Sequence, residues 1–447
     1  VLNSLMEASG DGREFILELA SMYISSQEYD KALETLDKAE EYYGVVAQLS
    51  LQKQKIYLQK NDLEKAVAEG ERLIEAHPGY SEYVLALVEV LFNNGKTDRA
   101  LDLVLQNLEA YPDQSDLQLA AYSLYASKND QPTALSYLFE AFSDPDLSAT
   151  VKAGAYRDIL REMKTPERDS LLNRLGQMME ELHPEQEAVY AVLGDKELLL
   201  KNKDAALAHY RRSLQIQPAD EGVLQSTISL MFELGTAFSE IEEMTETAVE
   251  EFPEKAEFWF YDGTSKLAQK KYEKAEKSFL NALEFNKGVN RKLDILVGSQ
   301  LGDTYHSLNK KEAAYETYEK FLALNPDNAH ILNNYAYFLS LDKINLDKAK
   351  SMSEKLVRKF PDNSTYLDTH AWVLFQLKDY KNALLFMKQA LENQTEPSGV
   401  MYEHYGDILY KLGEKKEALN YWKKAESLDQ ASELLDKKIK NKQYYEE

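Results

Sequence analysis

Ala32, Ala66, Ala100 and Ala134 stand 34 residues apart. A fixed step of that size marks a chain assembled from copies of one supersecondary unit, each too small to bury its own core. Ala206, Ala275, Ala314, Ala349, Ala383 and Ala418 carry the series onward. Prolines keep the same time, with Pro78 and Pro112 separated by 34, and Pro218 and Pro253, like Pro326 and Pro361, by 35. Gly194 and Gly263 lie 69 apart, while Gly302, Ala336, Ala371 and Gly406 follow one another at 34, 35 and 35. Repetition at this period lets a chain of 447 residues escape the size limit on a single core.

Each unit reads as two amphipathic helices. Tyr402, Tyr405, Gly406 and Leu409 fall on one face of a first helix, and Ala418, Trp422 and Ala425 on one face of a second, with the turn near Gly413. Small residues mark the closest helix approach, aromatics fill the adjoining holes, and proline ends the second helix because it cannot continue the hydrogen-bond ladder. The period therefore predicts an all-α solenoid of about twelve helix pairs, roughly 24 helices, with no β-sheet.

Departures from the period divide the array. The markers fail between Asp146 and His183, where Thr165, Pro166 and Glu167 predict a helix N-cap with proline at the first helical position. The step from Gly263 to Gly302 is 39, and its excess near Asn286 to Lys292 predicts a longer, locally basic loop or a helix extension. One extra residue falls in the turn from Leu341 to Leu346. The expected organisation is an N-terminal array over 1–145, a diverged junction over 146–185, a middle array over 186–294, a C-terminal array over 295–432, and a capping helix or tail over 433–447.

These units resemble the tetratricopeptide repeat family. Tyr190, Leu193, Gly194, Ala206, Tyr210 and Pro218 match its pattern, as do Leu301, Gly302, Tyr305, Ala314, Tyr318 and Pro326, and Trp259, Gly263, Ala275, Phe279 and Ala282. The resemblance implies a right-handed superhelix whose inner groove, lined by first helices, holds peptide. The last units add a narrower likeness. Asn333-Asn334-Tyr335-Ala336-Tyr337, Asn345-Leu346-Asp347, Leu367-Asp368-Thr369-His370-Ala371-Trp372 and His404-Tyr405-Gly406-Asp407 resemble the C-terminal block of bacterial envelope repeat proteins, many of them lipoproteins. That likeness implies a periplasmic or outer-membrane-associated protein, with a cytoplasmic one as the alternative. Ala336 and Ala371 stand where that block usually has Gly. Val1 in place of Met is compatible with a trimmed chain whose signal peptide or lipid-bearing cysteine lay upstream.

Composition narrows the chemistry. A net charge of −24 disfavours nucleic acid, and no stretch approaches the ~20 apolar residues of a membrane span. With no cysteine there is no thiolate metal site and no cysteine nucleophile. The phosphate-binding, dinucleotide, nucleophile-elbow and zinc-protease motifs are absent, and no two of the seven histidines share helical metal-site spacing. Acid pairs such as Glu242-Glu243 read as solvated faces. No catalytic residue, metal or cofactor is implied.

Projection of inward positions gives the candidate groove: Asp303 and His306, then Asn333 and Tyr337, then Asp368, Trp372 and Phe375, then Glu403, Asp407 and Tyr410. Aromatics offer contact area at low entropy cost, and Asn can pair with a peptide backbone. The same aromatics would equally suit packing against the next unit. The paired lysines and arginine with which some members of the repeat family grip a C-terminal carboxylate are missing here. The expectation is a non-enzymatic scaffold for protein or peptide partners, preferring a basic or neutral segment with an apolar residue. The alternatives are an adaptor presenting substrates to an enzyme and a regulator binding a small ligand.

Overall fold

A computed structural model describes residues 13–396, 398–428 and 432–446. The first twelve residues of the N-terminal array and the last residue of the tail lie outside that range. The chain divides into two compact units, Val1–Gln217 and Pro218–Glu447.

The first unit holds six helical hairpins: α1 (Arg13–Ser25) with α2 (Tyr29–Tyr43), α3 (Ala47–Gln59) with α4 (Leu63–Ala76), and α5 (Ser81–Asn93) with α6 (Thr97–Ala110). Then come α7 (Ser115–Ser127) with α8 (Gln131–Ser143), α9 (Ala149–Glu162) with α10 (Arg168–Leu182), and α11 (Glu187–Leu199) with α12 (Lys203–Ile216). The second unit holds six more: α13 (Glu221–Glu233) with α14 (Phe238–Glu251), α15 (Ala256–Ala268) with α16 (Tyr272–Asn286), and α17 (Arg291–Ser307) with α18 (Lys311–Leu324). They continue through α19 (Ala329–Leu341) with α20 (Leu346–Lys359), α21 (Ser364–Gln376) with α22 (Tyr380–Asn393), and α23 (Gly399–Lys411) with α24 (Lys415–Glu426). A short helix, α25 (Leu435–Asn441), is the last helix of the described residues. Twelve pairs and no strand among the described residues give the all-α solenoid that the period predicts. Within each unit every hairpin packs on its neighbour.

The hairpins share one turn. Gln27, Asn61, Gly95, Asn129, Lys201, Gly235, Lys270, Asn309, Lys343, Lys378 and Gly413 all have positive φ, and each lies between the two helices of a hairpin. In each case the following amide bonds a carbonyl five residues back, as Asp62 N does to Tyr57 O at 2.8 Å and Glu414 N to Leu409 O at 3.0 Å. This left-handed cap closes the first helix and reverses the chain within three residues. The diverged fifth hairpin alone lacks it: no positive φ occurs from Met163 to Glu167. Thr165 is not the N-cap there. The residue before α10 is Glu167, already in helical conformation, and Thr165 instead accepts Arg168 N in a preceding turn at 3.2 Å.

The excess after Gly263 is a helix extension. Asn290 caps α17, whose 17 residues exceed the 13 of α15, and Lys287 with positive φ ends α16. The extra residue before α20 is absorbed by a second left-handed residue, Asn345.

Glycine and aromatic are matched across four of the hairpins. A Cβ added at Gly194 would lie 2.5 Å from the Tyr210 ring, at Gly263 2.6 Å from Phe279, and at Gly406 2.5 Å from Trp422; Gly302 faces Tyr318 in the same way. Each aromatic stands sixteen positions after its glycine. Where the sequence has Ala371 the residue at that offset is Met387, and both sit in one apolar cluster, so the small side chain meets a more adaptable one. In the second hairpin the sizes reverse, with Gln54 over Gly70. In each of these pairs a small residue makes room for a larger one.

Ala418 shows the same constraint, fully buried beside Trp422 and Ala425. Ala418→Leu is expected to destabilise the last hairpin by ~1–3 kcal/mol. Repeat arrays couple mainly to nearest neighbours, so hydrogen-exchange protection should fall over 364–446 and hold elsewhere. Unchanged protection there would refute the packing argument.

Candidate functional site

The first helices α17, α19, α21 and α23 lie side by side in the second unit and carry all ten candidate residues. The structure sorts them into two groups. Asp303 on α17 accepts Nε2 of His330 at 2.8 Å, Nδ2 of Asn334 at 3.0 Å and the Tyr318 hydroxyl. His306 stacks on Phe338 at 3.6 Å and lies 3.8 Å from Asp342; burial pushes its imidazole pKa down, although Asp342 acts to raise it. Asn333 is buried and donates to Asn334 at 3.1 Å, leaving its Oδ1 without a hydrogen-bond partner.

The second group surrounds a cavity of about 210 Å³ lined by Tyr337, Trp372, Gln376, Val400, Glu403, His404 and Asp407 together with residues from the C-terminal segment. Trp372 is 6% exposed and is sandwiched between Phe375, at 4.6 Å and 8°, and His404, at 3.9 Å and 14°. Its Nε1 is buried without a hydrogen-bond partner. Phe375 is buried too, so these two aromatics serve packing at least as much as they line a surface. Tyr337 is half-buried at the cavity wall, its ring 6.2 Å from that of His404. Asp368 is held by His404 Nδ1 at 2.8 Å.

Carboxylates on α23 already hold a cation. Lys438 Nζ on α25 donates to Glu403 Oε1 at 2.8 Å and to Asp407 Oδ2 at 2.7 Å, and Trp422 Nε1 donates to Asp407 Oδ1 at 2.9 Å. One lysine serves two carboxylates that are 4% and 1% exposed. Burial pushes Asp407 up to about 6, and Lys438 offsets this only in part. Burial acts on Glu403 in the same direction, but Lys438 and two hydrogen bonds from Ser432 hold it below its ordinary value. Burial would depress Lys438, and the two carboxylates raise it instead. Tyr410 lies 5.7 Å from Trp422 and 6.5 Å from Tyr444, ring to ring.

Of the ten candidates, then, Tyr337, Trp372, Glu403 and Asp407 line the cavity, and Asp368, Phe375 and Tyr410 back it. Asp303 and Asn333 belong to a separate network joined through Asn334, and His306 rests on Phe338 beside Asp342. His306, His370 and His404 each rest on a different aromatic: Phe338, Phe386 and Trp372. Lys343, Lys438 and Tyr444 were not evident from the sequence, yet all three line the cavity. The period held the signal for Lys438: it stands 35 residues after Glu403, as His404 stands 36 after Asp368, one repeat on from the carboxylate it serves.

The tetratricopeptide repeat profiles match residues 17–81, 55–115 and 299–328. A profile described as anaphase-promoting complex, cyclosome, subunit 3 matches residues 342–425. No curated protein matches the chain. Among solved structures it is similar to the crystal structure of the APC/C hetero-tetramer Cut9-Hcn1, at 15% identity and a TM-score of 0.44 over 96% of this chain and 90% of that one. It is similar also to yeast Tom70, at 16% identity and a TM-score of 0.38 over 96% of this chain and 95% of that one. No helix of the described residues is long and apolar enough to cross a membrane.

Proposed function

Because the chain is built of tetratricopeptide repeats, we propose that it is a non-enzymatic scaffold that holds partner polypeptides on the first-helix face of its last three hairpins. The observation that carries the choice of face is that a polypeptide segment already rests there: Lys438 enters between Glu403 and Asp407, and the Tyr444 ring meets Phe375 edge-on at 5.9 Å. A face that accepts a lysine and an aromatic ring in this way suits a basic or neutral partner segment with an apolar residue. The chain's net charge of −24 speeds the approach of a basic segment, and the aromatic contacts govern how long it stays. We place the scaffold in a bacterial cell envelope, in the periplasm or against the outer membrane. The support is the likeness of Asn333-Asn334-Tyr335-Ala336-Tyr337 and His404-Tyr405-Gly406-Asp407 to envelope repeat proteins.

Pull-down with the full chain from separated envelope and cytoplasmic fractions tests both parts. A captured protein should leave a Tyr337→Ala chain about tenfold faster, the order of effect of an interface aromatic. Its association with the unaltered chain should slow as salt rises. Equal dissociation from both chains would move the site elsewhere, and a partner confined to the cytoplasm would overturn the envelope assignment.

A further inference from the structure

Residues 432–446 lie across the face of three hairpins. Ser432 donates its amide to Glu403 Oε2 at 2.7 Å, and α25 then delivers Lys438 to Glu403 and Asp407. Beyond α25 the Tyr444 ring lies against Phe375 on α21 and near Tyr410 on α23, with the Lys411 ammonium 4.1 Å from its centroid. Glu446 reaches Lys343 in the α19–α20 turn at 2.9 Å. The cavity is roofed by Ser432, Lys438, Tyr444, Tyr445 and Glu446.

A permanent cap would bury a long apolar stripe. α25 adds Leu435 and the partly buried Ile439 to the apolar core, with Tyr444 beyond it, whereas α23 beneath it buries nine residues. Beyond these three apolar side chains, what holds the segment is polar and specific to individual side chains. Desolvation cancels much of the attraction in a buried ion pair, and a half-exposed pair such as Lys343 with Glu446 adds little. If the segment lifts away, Glu403 and Asp407 become solvated instead of stranded, so its departure is affordable in a way that loss of a core helix is not.

We propose that Ser432–Glu446 is a removable ligand carried in cis, and that partners bind by presenting its chemistry, a lysine or arginine six residues ahead of an aromatic ring, and displacing it. This rests on the reading of the face as a protein-binding site. A partner then binds the free chain more weakly than the bare face, in proportion to the fraction of time the segment is away.

The probe is a fluorescein-labelled peptide of residues 432–446, titrated onto the full chain and onto a full chain carrying Lys438→Glu with Tyr444→Ala. In that variant like charges meet at Glu403 and Asp407, so the cis segment leaves. The peptide should bind the variant at least tenfold more tightly than the unaltered chain. A peptide with Lys438→Glu should bind neither. Equal affinity for both chains, or no binding to a variant whose circular dichroism shows a folded array, overturns the proposal. A variant that does not fold leaves hydrogen exchange on the unaltered chain to decide: amides over 435–443 should exchange at least tenfold faster than those over 399–411, and equal protection makes the segment a permanent cap. If the peptide binds the variant but no captured partner competes with it, the cis ligand stands and the protein-binding reading of the face falls. If partners bind the face and the peptide does not, this inference falls alone.

Discussion

Lys266→Met is expected to weaken the second unit by about 3–5 kcal/mol, the usual cost of stripping the partner from a buried charge. Asp262 on α15 is fully buried. Its carboxylate accepts Lys266 Nζ at 2.8 Å, Thr245 Oγ1 at 3.1 Å and the Ser278 hydroxyl, and only the lysine brings charge. Methionine keeps the stem's volume and removes that charge, so two hydroxyls face an uncompensated anion. Adding Asp262→Asn should recover most of the loss, because an amide oxygen accepts from the same hydroxyls without a charge to neutralise. Urea unfolding of the two variants measures the difference. Hydrogen exchange should place the damage near 238–286, since repeat stability is nearly a sum of local and nearest-neighbour terms. A cost below about 1 kcal/mol for the single variant would show that the buried carboxylate does not depend on its lysine.

The helices were legible because their code is steric and periodic. Gly263 with Phe279 and Gly406 with Trp422 are short-range statements about volume, sixteen positions apart, and the eye finds them without a structure. The turns were half legible. Gly95, Gly235, Gly413, Asn61, Asn129 and Asn309 advertise a left-handed residue, but Gln27, Lys201, Lys270, Lys343 and Lys378 adopt the same conformation without the usual residue type, held there by the repeated amide-to-carbonyl bond. Thr165 and Pro166 misled because a good N-cap pair carries weight only if the chain enters the helix there, and it enters two residues later. At the site, the facing of residues along each first helix was readable, but the state of their charges was not. Asp368, Glu403 and Asp407 look like free acids on a helix wheel; each is answered by a group one repeat away, His404 or Lys438. The helical period ranks neighbours within a helix; the pairing across hairpins follows the longer repeat step instead, 35 from Glu403 to Lys438 and 36 from Asp368 to His404, and a helix wheel does not show it.

His370 should make the eleventh hairpin acid-sensitive. Its ring on α21 is 3% exposed, edge-on to Phe386 at 4.6 Å and 84°, with Nδ1 bonded to Ser353 Oγ at 2.9 Å. Burial pushes its pKa from 6.5 down to about 4; Glu354 pulls the other way and Lys350 reinforces the fall. The unfolded chain therefore takes up a proton that the folded chain refuses. Stability from the neutral ring is complete above pH 6.5 and is lost as pH falls toward 4, by about 2 kcal/mol at pH 5 and about 3 kcal/mol at pH 4. Asp407 acts in the opposite sense: its raised carboxyl favours the folded state at low pH, and that contribution is lost as pH rises through about 6. The whole-chain profile mixes the two, together with His306, which is depressed like His370. A difference between chains isolates one group. His370→Gln keeps a hydrogen-bonding side chain for Ser353 and cannot take up the proton, so its stability relative to the unaltered chain should improve by about 2 kcal/mol between pH 7 and pH 5 in urea melts. Parallel pH profiles for the two chains would mean that the ring is solvated well enough to be protonated in place, and that the hairpin opens there more readily than its packing implies.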